Sequence, residues 1–217
     1  MLKTRLSVKK ESVFKILCLG AHSDDIEIGC GGTILRFLED TRKTEVHWII
    51  LGAGEERAIE AKKSAHLFLE RATEKEITIR DFRDGFFPYI GAEIKEYFEE
   101  LKRKIDPDLI FTHHRNDLHQ DHRLVSELTW NTFRNHLIFE YEIPKYDGDL
   151  GSPNFFVHLS ERLSKKKVEL LLGCFQSQAS NHWFTEDTFL STLRIRGVES
   201  NATEKYAEGF YCRKIIL

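Results

Sequence analysis

Phe14 to Leu19 (FKILCL) is an almost continuously apolar run that ends at Gly20. A stretch this short, with no polar alternation, suits a strand buried on both faces, as at the centre of a parallel sheet. Small and acidic residues follow, and Gly31 to Asp40 then places Ile34, Leu35 and Leu38 at helical spacing. The order strand, loop, helix recurs. Glu45 to Leu51 (EVHWIIL) reads as a strand and Glu56 to Glu70 as a helix. Glu76 to Ile79 reads as a short strand, Gly91 to Lys104 as a helix, and Leu109 to Thr112 as a strand entered through the Asp106-Pro107-Asp108 turn. Parallel strands need crossover connections, which are right-handed and lay helices on both faces of the sheet. The pattern predicts an α/β fold, a Rossmann-like sandwich with a mostly parallel central sheet.

Farther along, Asp121 to Asn135 is helical in pattern, Leu137 to Tyr141 (LIFEY) and Phe155 to Leu159 read as strands, and Phe210 to Leu217 as a closing strand. Ser160 to Leu172 has a cap followed by helical periodicity, and Glu186 to Arg196 is also helical in pattern. Pro144 to Asn154 (PKYDGDLGSPN) is the segment richest in Gly, Pro and Asp and reads as a loop or lid, not a boundary; Gln176 to Trp183 is irregular. There is no internal repeat, and residues 1–217 read as a single domain.

Lys and Arg total 32 against 35 Asp and Glu, a net charge of −3, so the chain offers no bulk basic field for nucleic acid. Its 16 Phe, 6 Tyr and 3 Trp argue for a packed core and against disorder. Cys18, Cys30, Cys174 and Cys212 form no CxxC pair and read as packed free thiols of a reducing compartment. Met1 to Glu11 is basic without the apolar core of a secretory signal, and no uncharged run reaches the length of a membrane span. A cytoplasmic location is expected; the oligomeric state is not readable.

Among 10 His, four (His113, His114, His119 and His122) fall close together, directly after the strand LIFT. A second polar segment, Ala21-His22-Ser23-Asp24-Asp25, directly follows FKILCL. In α/β sheets ligands bind beyond the carboxyl ends of strands, so two central strands would bring both segments to one rim. Mixed His and Asp side chains suit a catalytic divalent cation: two imidazoles and one carboxylate leave a position open for water or substrate. Taken singly, an Asp-Asp pair after a strand is more often a helix cap, and a lone HxxH is weak. Occurring together at strand ends, they point to a metal-dependent hydrolase.

AHSDDIEIGCGGTI at 21–34 resembles the AHPDD signature of the PIG-L/LmbE-like metal-dependent deacetylases. HHRNDLHQDHR at 113–123 resembles their second signature, HxDH preceded by Asp. Looser matches follow in order: Gly54-Glu55 with Arg57 to Ala61, Phe82 to Gly85, Gln176 to Gln178, Arg196-Gly197 and Ala207 to Phe210, so that the resemblance covers about 14–213. It implies His22, Asp25 and His122 as zinc ligands and Asp24 as general base. It further implies that His119 polarises the acetyl carbonyl or protonates the departing amine, that Asp121 tunes that imidazole, and that Arg57 and Asp84 contact substrate. Ser23 stands where the family has Pro, which leaves the loop freer without removing a ligand.

The activity so implied is zinc-dependent removal of the N-acetyl group from an N-acetylglucosamine-type conjugate, giving a free amine and acetate. A small-molecule amino sugar is the expected partner, and a site of two histidines and one aspartate also accepts iron(II) or cobalt(II). Competing expectations are an amidase acting on a non-sugar conjugate and a catalytically silent sugar-binding protein. His113 and His114 are expected to be supporting hydrogen-bonding residues. Gly29 to Gly32 lacks a phosphate-loop pattern and is expected to serve close packing. Lys165-Lys166-Lys167 is expected to be a solvated helix face. His182 and Trp183 are expected in the core or at the rim of a sugar site.

Overall fold

The computed structural model describes residues 12–39 and 43–216. The amino-terminal segment read for a signal core, Met1 to Glu11, lies outside the described residues. Strands β1 (Phe14–Gly20), β2 (Thr44–Ile50), β3 (Glu74–Ile79), β4 (Leu109–His113) and β5 (Leu137–Tyr141) run parallel. They alternate with helices α1 (Asp25–Glu39), α2 (Glu55–Phe68), α3 (Gly91–Lys104) and α4 (Gln120–Thr132). Strand β6 (Phe155–Leu159), helices α5 (Glu161–Cys174) and α6 (Glu186–Glu199), and strand β7 (Tyr206–Cys212) complete the order; β7 lies antiparallel between β5 and β6. The single sheet has the order β3-β2-β1-β4-β5-β7-β6. This is the mostly parallel, helix-covered α/β sandwich that the sequence pattern predicts.

Alternation along β1 divides the core. Ile16 and Cys18 join α1, α2, α5 and α6 on one face, whereas Leu17 and Leu19 join α3 and α4 on the other. Strand order reverses between β1 and β4, and at such a switch point the loops leaving the carboxyl ends diverge and open a crevice. The loops leaving β1 and β4 are the two polar segments of interest.

Three elements differ from their sequence expectation. Helix α1 begins at Asp25, not Gly31, and glycine stands inside it because a Cβ at Gly29 would be 2.2 Å from the Tyr141 ring and one at Gly31 2.6 Å from Phe68. These glycines serve packing, as expected. The closing strand is β7, Tyr206–Cys212, which starts after Lys205 turns the chain with φ of 77°. Lys167 is not on a solvated face. It is 2% exposed and donates to Glu208 Oε1 and to the Ile28 carbonyl, both at 2.6 Å. All four cysteines are free. Among the described residues no helix is long and apolar enough to cross a membrane.

Candidate metal centre

The loop after β1 enters α1 immediately. The Asp25 carboxylate accepts the His22 backbone N–H at 2.6 Å, and the first helical bond runs from Ile28 N–H to the Asp24 carbonyl at 3.0 Å. Asp24 and Asp25 thus stand at the positive end of a helix dipole, which favours their charged forms. The loop after β4 enters α4 in the same way: His119 is the N-cap, and its Nδ1 accepts the Asp121 backbone N–H at 3.3 Å.

Three side chains converge where these helices begin. His22 Nδ1 lies 3.1 Å from His122 Nε2 and 3.5 Å from Asp25 Oδ2, and His122 Nε2 lies 3.5 Å from Asp25 Oδ1. Their protonation follows from the outer contacts. His122 Nδ1 faces Asp117 Oδ2 at 2.9 Å, and a carboxylate can only accept, so the proton sits on Nδ1 and Nε2 presents a lone pair. His22 Nε2 faces Asp84 Oδ1 at 3.0 Å and Asp121 Oδ2 at 3.2 Å, which leaves the Nδ1 lone pair inward. Two lone pairs and a carboxylate pointing at one spot repel unless a cation lies between them. Tetrahedral bonds of about 2.0–2.1 Å would put ligand atoms roughly 3.3 Å apart, close to the separations found here.

Proton affinities follow the same field. Burial opposes charge on His22, yet hydrogen bonds to Asp121, Asp25 and Asp84 raise its pKa well above the ordinary value, so a proton takes the place that suits a cation. Burial works against the charge on Asp25, but His122 and His113 bring its carboxyl well below the usual range. Asp24 is pushed up to about 6 by burial, against the pull of Arg57, whose Nη2 lies 2.9 Å from Asp24 Oδ1. His119 is lowered by burial and then by His22.

Three further groupings of possible ligands share these residues: His22, Asp84, His119 and Asp121; Asp25, His113 and His122; and His22, His119 and His122, in which His119 stands in place of Asp25. The first presents the wrong atoms, because His22 Nε2 carries the proton it gives to the carboxylates and His119 Nδ1 is engaged by Asp121 N–H. In the second, His113 Nε2 sits 3.0 Å from Ala21 N and 3.2 Å from Asp25 Oδ2, a bracing position behind the carboxylate.

The GlcNAc-PI de-N-acetylase (PIG-L) family model matches residues 17–133, more than half of the chain. The chain belongs to this family. Solved structures agree on the fold. The conserved protein TT1542 from Thermus thermophilus superposes with a TM-score of 0.73 at 20% identity, covering 94% of this chain and 97% of the other. The N,N'-diacetylchitobiose deacetylase of Pyrococcus horikoshii, solved with an inhibitor, gives 0.70 at 22%, covering 92% and 83%. GalB, the 4-carboxy-2-hydroxymuconate hydratase of Pseudomonas putida, gives 0.75 at 17%, covering 94% and 98%. At such identities the similarity speaks for the fold alone.

Within this PIG-L chain, His22, Asp24, Asp25, His119, Asp121 and His122 all meet at the β1/β4 switch point, joined by Arg57 from α2 and by Asp84. Asp84 is delivered by a turn in which Gly85 has φ of 76°, a conformation that favours glycine, and the Gly85 N–H donates to Asp121 Oδ2 at 2.7 Å. The Asp121 carboxylate is held by the Gly85 and Phe87 N–H groups and faces His22; it bears on His119 through its own backbone N–H and through its charge, which favours the protonated imidazole. Sequence reasoning assigns no role to Asp117, whose carboxylate accepts from His119 N, His122 Nδ1 and Lys145 Nζ. Its only signal is its place before HxDH. His113, expected as a supporting residue, lies against Asp25, and His114 pairs with Glu140 at 2.8 Å.

Proposed function

We propose that this chain is a divalent-metal-dependent N-deacetylase that hydrolyses the acetamide of an N-acetylglucosamine-type conjugate to a free amine and acetate. The carrying observation is the inward convergence of two imidazole nitrogens, His22 Nδ1 and His122 Nε2, 3.1 Å apart beside Asp25. These three residues would hold the ion, with zinc the first choice and iron(II) or cobalt(II) accepted by the same donor set. When bound, such an ion supplies Lewis acidity toward water and toward the amide carbonyl.

The protein's own groups do the rest. Asp24, adjacent to the Asp25 ligand, accepts a proton from the attacking water; burial tunes its carboxyl to about 6, near the pH at which it must work. Arg57 fixes that carboxylate through Oδ1. His119, with Nδ1 engaged by the Asp121 N–H, carries its proton on Nε2 and offers it to the negative charge developing on the carbonyl oxygen. The proton taken by Asp24 is the one that the amine needs as the C–N bond breaks, so water is split between acetate and amine. Asp121 orients His22, and Asp84, 65% exposed beside it, is placed to meet substrate hydroxyls.

The same fold serves a hydratase, so it does not by itself choose between amide cleavage and addition of water to a double bond. A panel of N-acetyl amino sugars, N-acyl amino acid conjugates and unsaturated acids, scored for amine and acetate release after metal loading, makes that choice. Amine release with matching acetate from the sugars alone is expected. Turnover confined to non-sugar amides or to alkenes refutes the proposal.

A further inference from the structure

We propose that Lys145 is a positioning residue for the cation site, acting through Asp117. The inference rests on reading His122 as a ligand. Lys145 belongs to the 144–154 loop, far from the histidine signatures in sequence. Its ammonium lies 3.0 Å from Asp117 Oδ2, the same oxygen that receives the His122 Nδ1 proton at 2.9 Å. The Lys145 side chain is 11% exposed and that of Asp117 2%, so solvent screens this contact little.

The rest of the loop is built around that contact. Asp149 Oδ2 accepts from Lys145 Nζ at 2.5 Å and from Leu118 N–H at 2.7 Å, and the Ile143 carbonyl lies 3.4 Å from the ammonium. Asp117 Oδ1 accepts the His119 N–H at 2.8 Å. One buried carboxylate therefore fixes the imidazole that faces the cation, the backbone of the proton donor, and the loop beside them. The Pro144 to Asn154 segment, which reads from sequence as a loop or lid, is latched at its root to the metal site. Without the ammonium the Asp117 charge is left under-compensated in a dry place, and the carboxylate relaxes toward water, away from His122. The orientation of a ligating imidazole depends on such an outer partner, whose loss typically weakens metal binding about 10- to 100-fold.

Cobalt(II) titration of the metal-free chain, followed by visible absorbance, tests the latch without relying on turnover. Lys145→Met should weaken cobalt(II) binding by about 10-fold and Asp117→Asn by about 10- to 100-fold. The double variant should bind no more weakly than Asp117→Asn alone, because Lys145 acts only through that carboxylate. Lys145→Arg keeps the cation and should restore most of the affinity. Asp149→Asn, which loosens the loop but leaves the Lys145–Asp117 pair, should bind cobalt(II) like the unmodified chain. The latch is overturned if Lys145→Met binds normally, if Lys145→Arg is as weak as Lys145→Met, if the Lys145 and Asp117 effects multiply, or if Asp149→Asn is equally weak. If His122→Ala still binds cobalt(II) normally, the ligand assignment fails instead. Far-UV circular dichroism confirms that each variant compared is folded.

Discussion

Replacing Glu208 by Gln tests how helix α1, which begins at Asp25 directly after Asp24, is held in place. Glu208 on β7 reaches into the middle of α1: Oε1 accepts the Gly32 N–H at 2.8 Å and Oε2 the Thr33 N–H at 2.7 Å. Lys167 on α5 closes the arrangement, donating to Glu208 Oε1 and to the Ile28 carbonyl, which is the regular helical partner of Gly32. Only glycine permits the approach at position 32, where a Cβ would stand 2.9 Å from Glu208 Oε1 and 2.4 Å from Leu159 Cδ1. Lys167 and Glu208 side chains are each 3% exposed, so solvent screening does not weaken the pair. Glu208→Gln leaves the ammonium buried with no countercharge and turns an amide NH₂ toward one of its donors.

Breaking a buried pair by removing one partner costs about 3–5 kcal/mol. That is a large part of a total stability of roughly 5–15 kcal/mol. At about 2–4 °C per kcal/mol for a chain of this size, the thermal midpoint should fall by about 6–20 °C. Urea unfolding followed by tryptophan fluorescence should show the midpoint falling with an unchanged slope, as expected when stability alone changes. Adding Lys167→Met removes the stranded charge, so the double variant should be more stable than the sum of the singles by roughly 1–3 kcal/mol. A Glu208→Gln midpoint within about 0.5 kcal/mol of the unmodified chain, on the scale of an ordinary surface substitution, refutes the reasoning.

Asp24→Asn should keep the metal, measured by elemental analysis, while lowering turnover by about 100- to 10,000-fold, and retained turnover removes Asp24 as general base. His122→Ala should lose the metal itself. Glu140 on β5 is buried and accepts from His114, the Arg115 N–H, Trp130 and Arg213; burial opposes its charge, but these donors bring its pKa below the ordinary value. A carboxyl lowered on folding contributes stability that is present above its unfolded pKa of about 4.3 and lost as pH falls through its folded value. Urea midpoints of Glu140→Gln should therefore lie below those of the unmodified chain at neutral pH and approach them in acid, and a constant gap across that range rules out the linkage.

The alternation of apolar runs with helical periodicity makes the sheet legible, because strands buried on both faces leave no polar alternation to confuse them. The start of α1 is not legible. Ser23 to Gly32 is rich in small and acidic residues, which favour loops when nothing else acts, and only the approach of Tyr141, Phe68, Leu159 and Glu208 explains why glycine serves there inside a helix. Lys167 misleads for the same reason: a lysine run is solvated by default, and its buried partner lies 41 positions away on a different element.

The convergence of His22, Asp25 and His122 is legible because each follows a central strand, in the loop or in the first turn of the helix beyond it, so the motif and the switch point of the sheet specify the same place. The surrounding layer is not, because its contacts depend on how loops return. Asp121 turns toward His22 because a left-handed turn at Gly85 offers it backbone donors, and Lys145 reaches Asp117 from a loop that no spacing rule ties to the histidine signatures. A motif thus identifies the residues proposed to meet an ion, whereas the nitrogen each imidazole turns inward is decided by carboxylates that no local spacing reveals. The protonation state of the centre is therefore a property of the tertiary fold, and substitutions at Asp117 or Asp121 should alter metal binding although neither side chain belongs to the proposed ligand set.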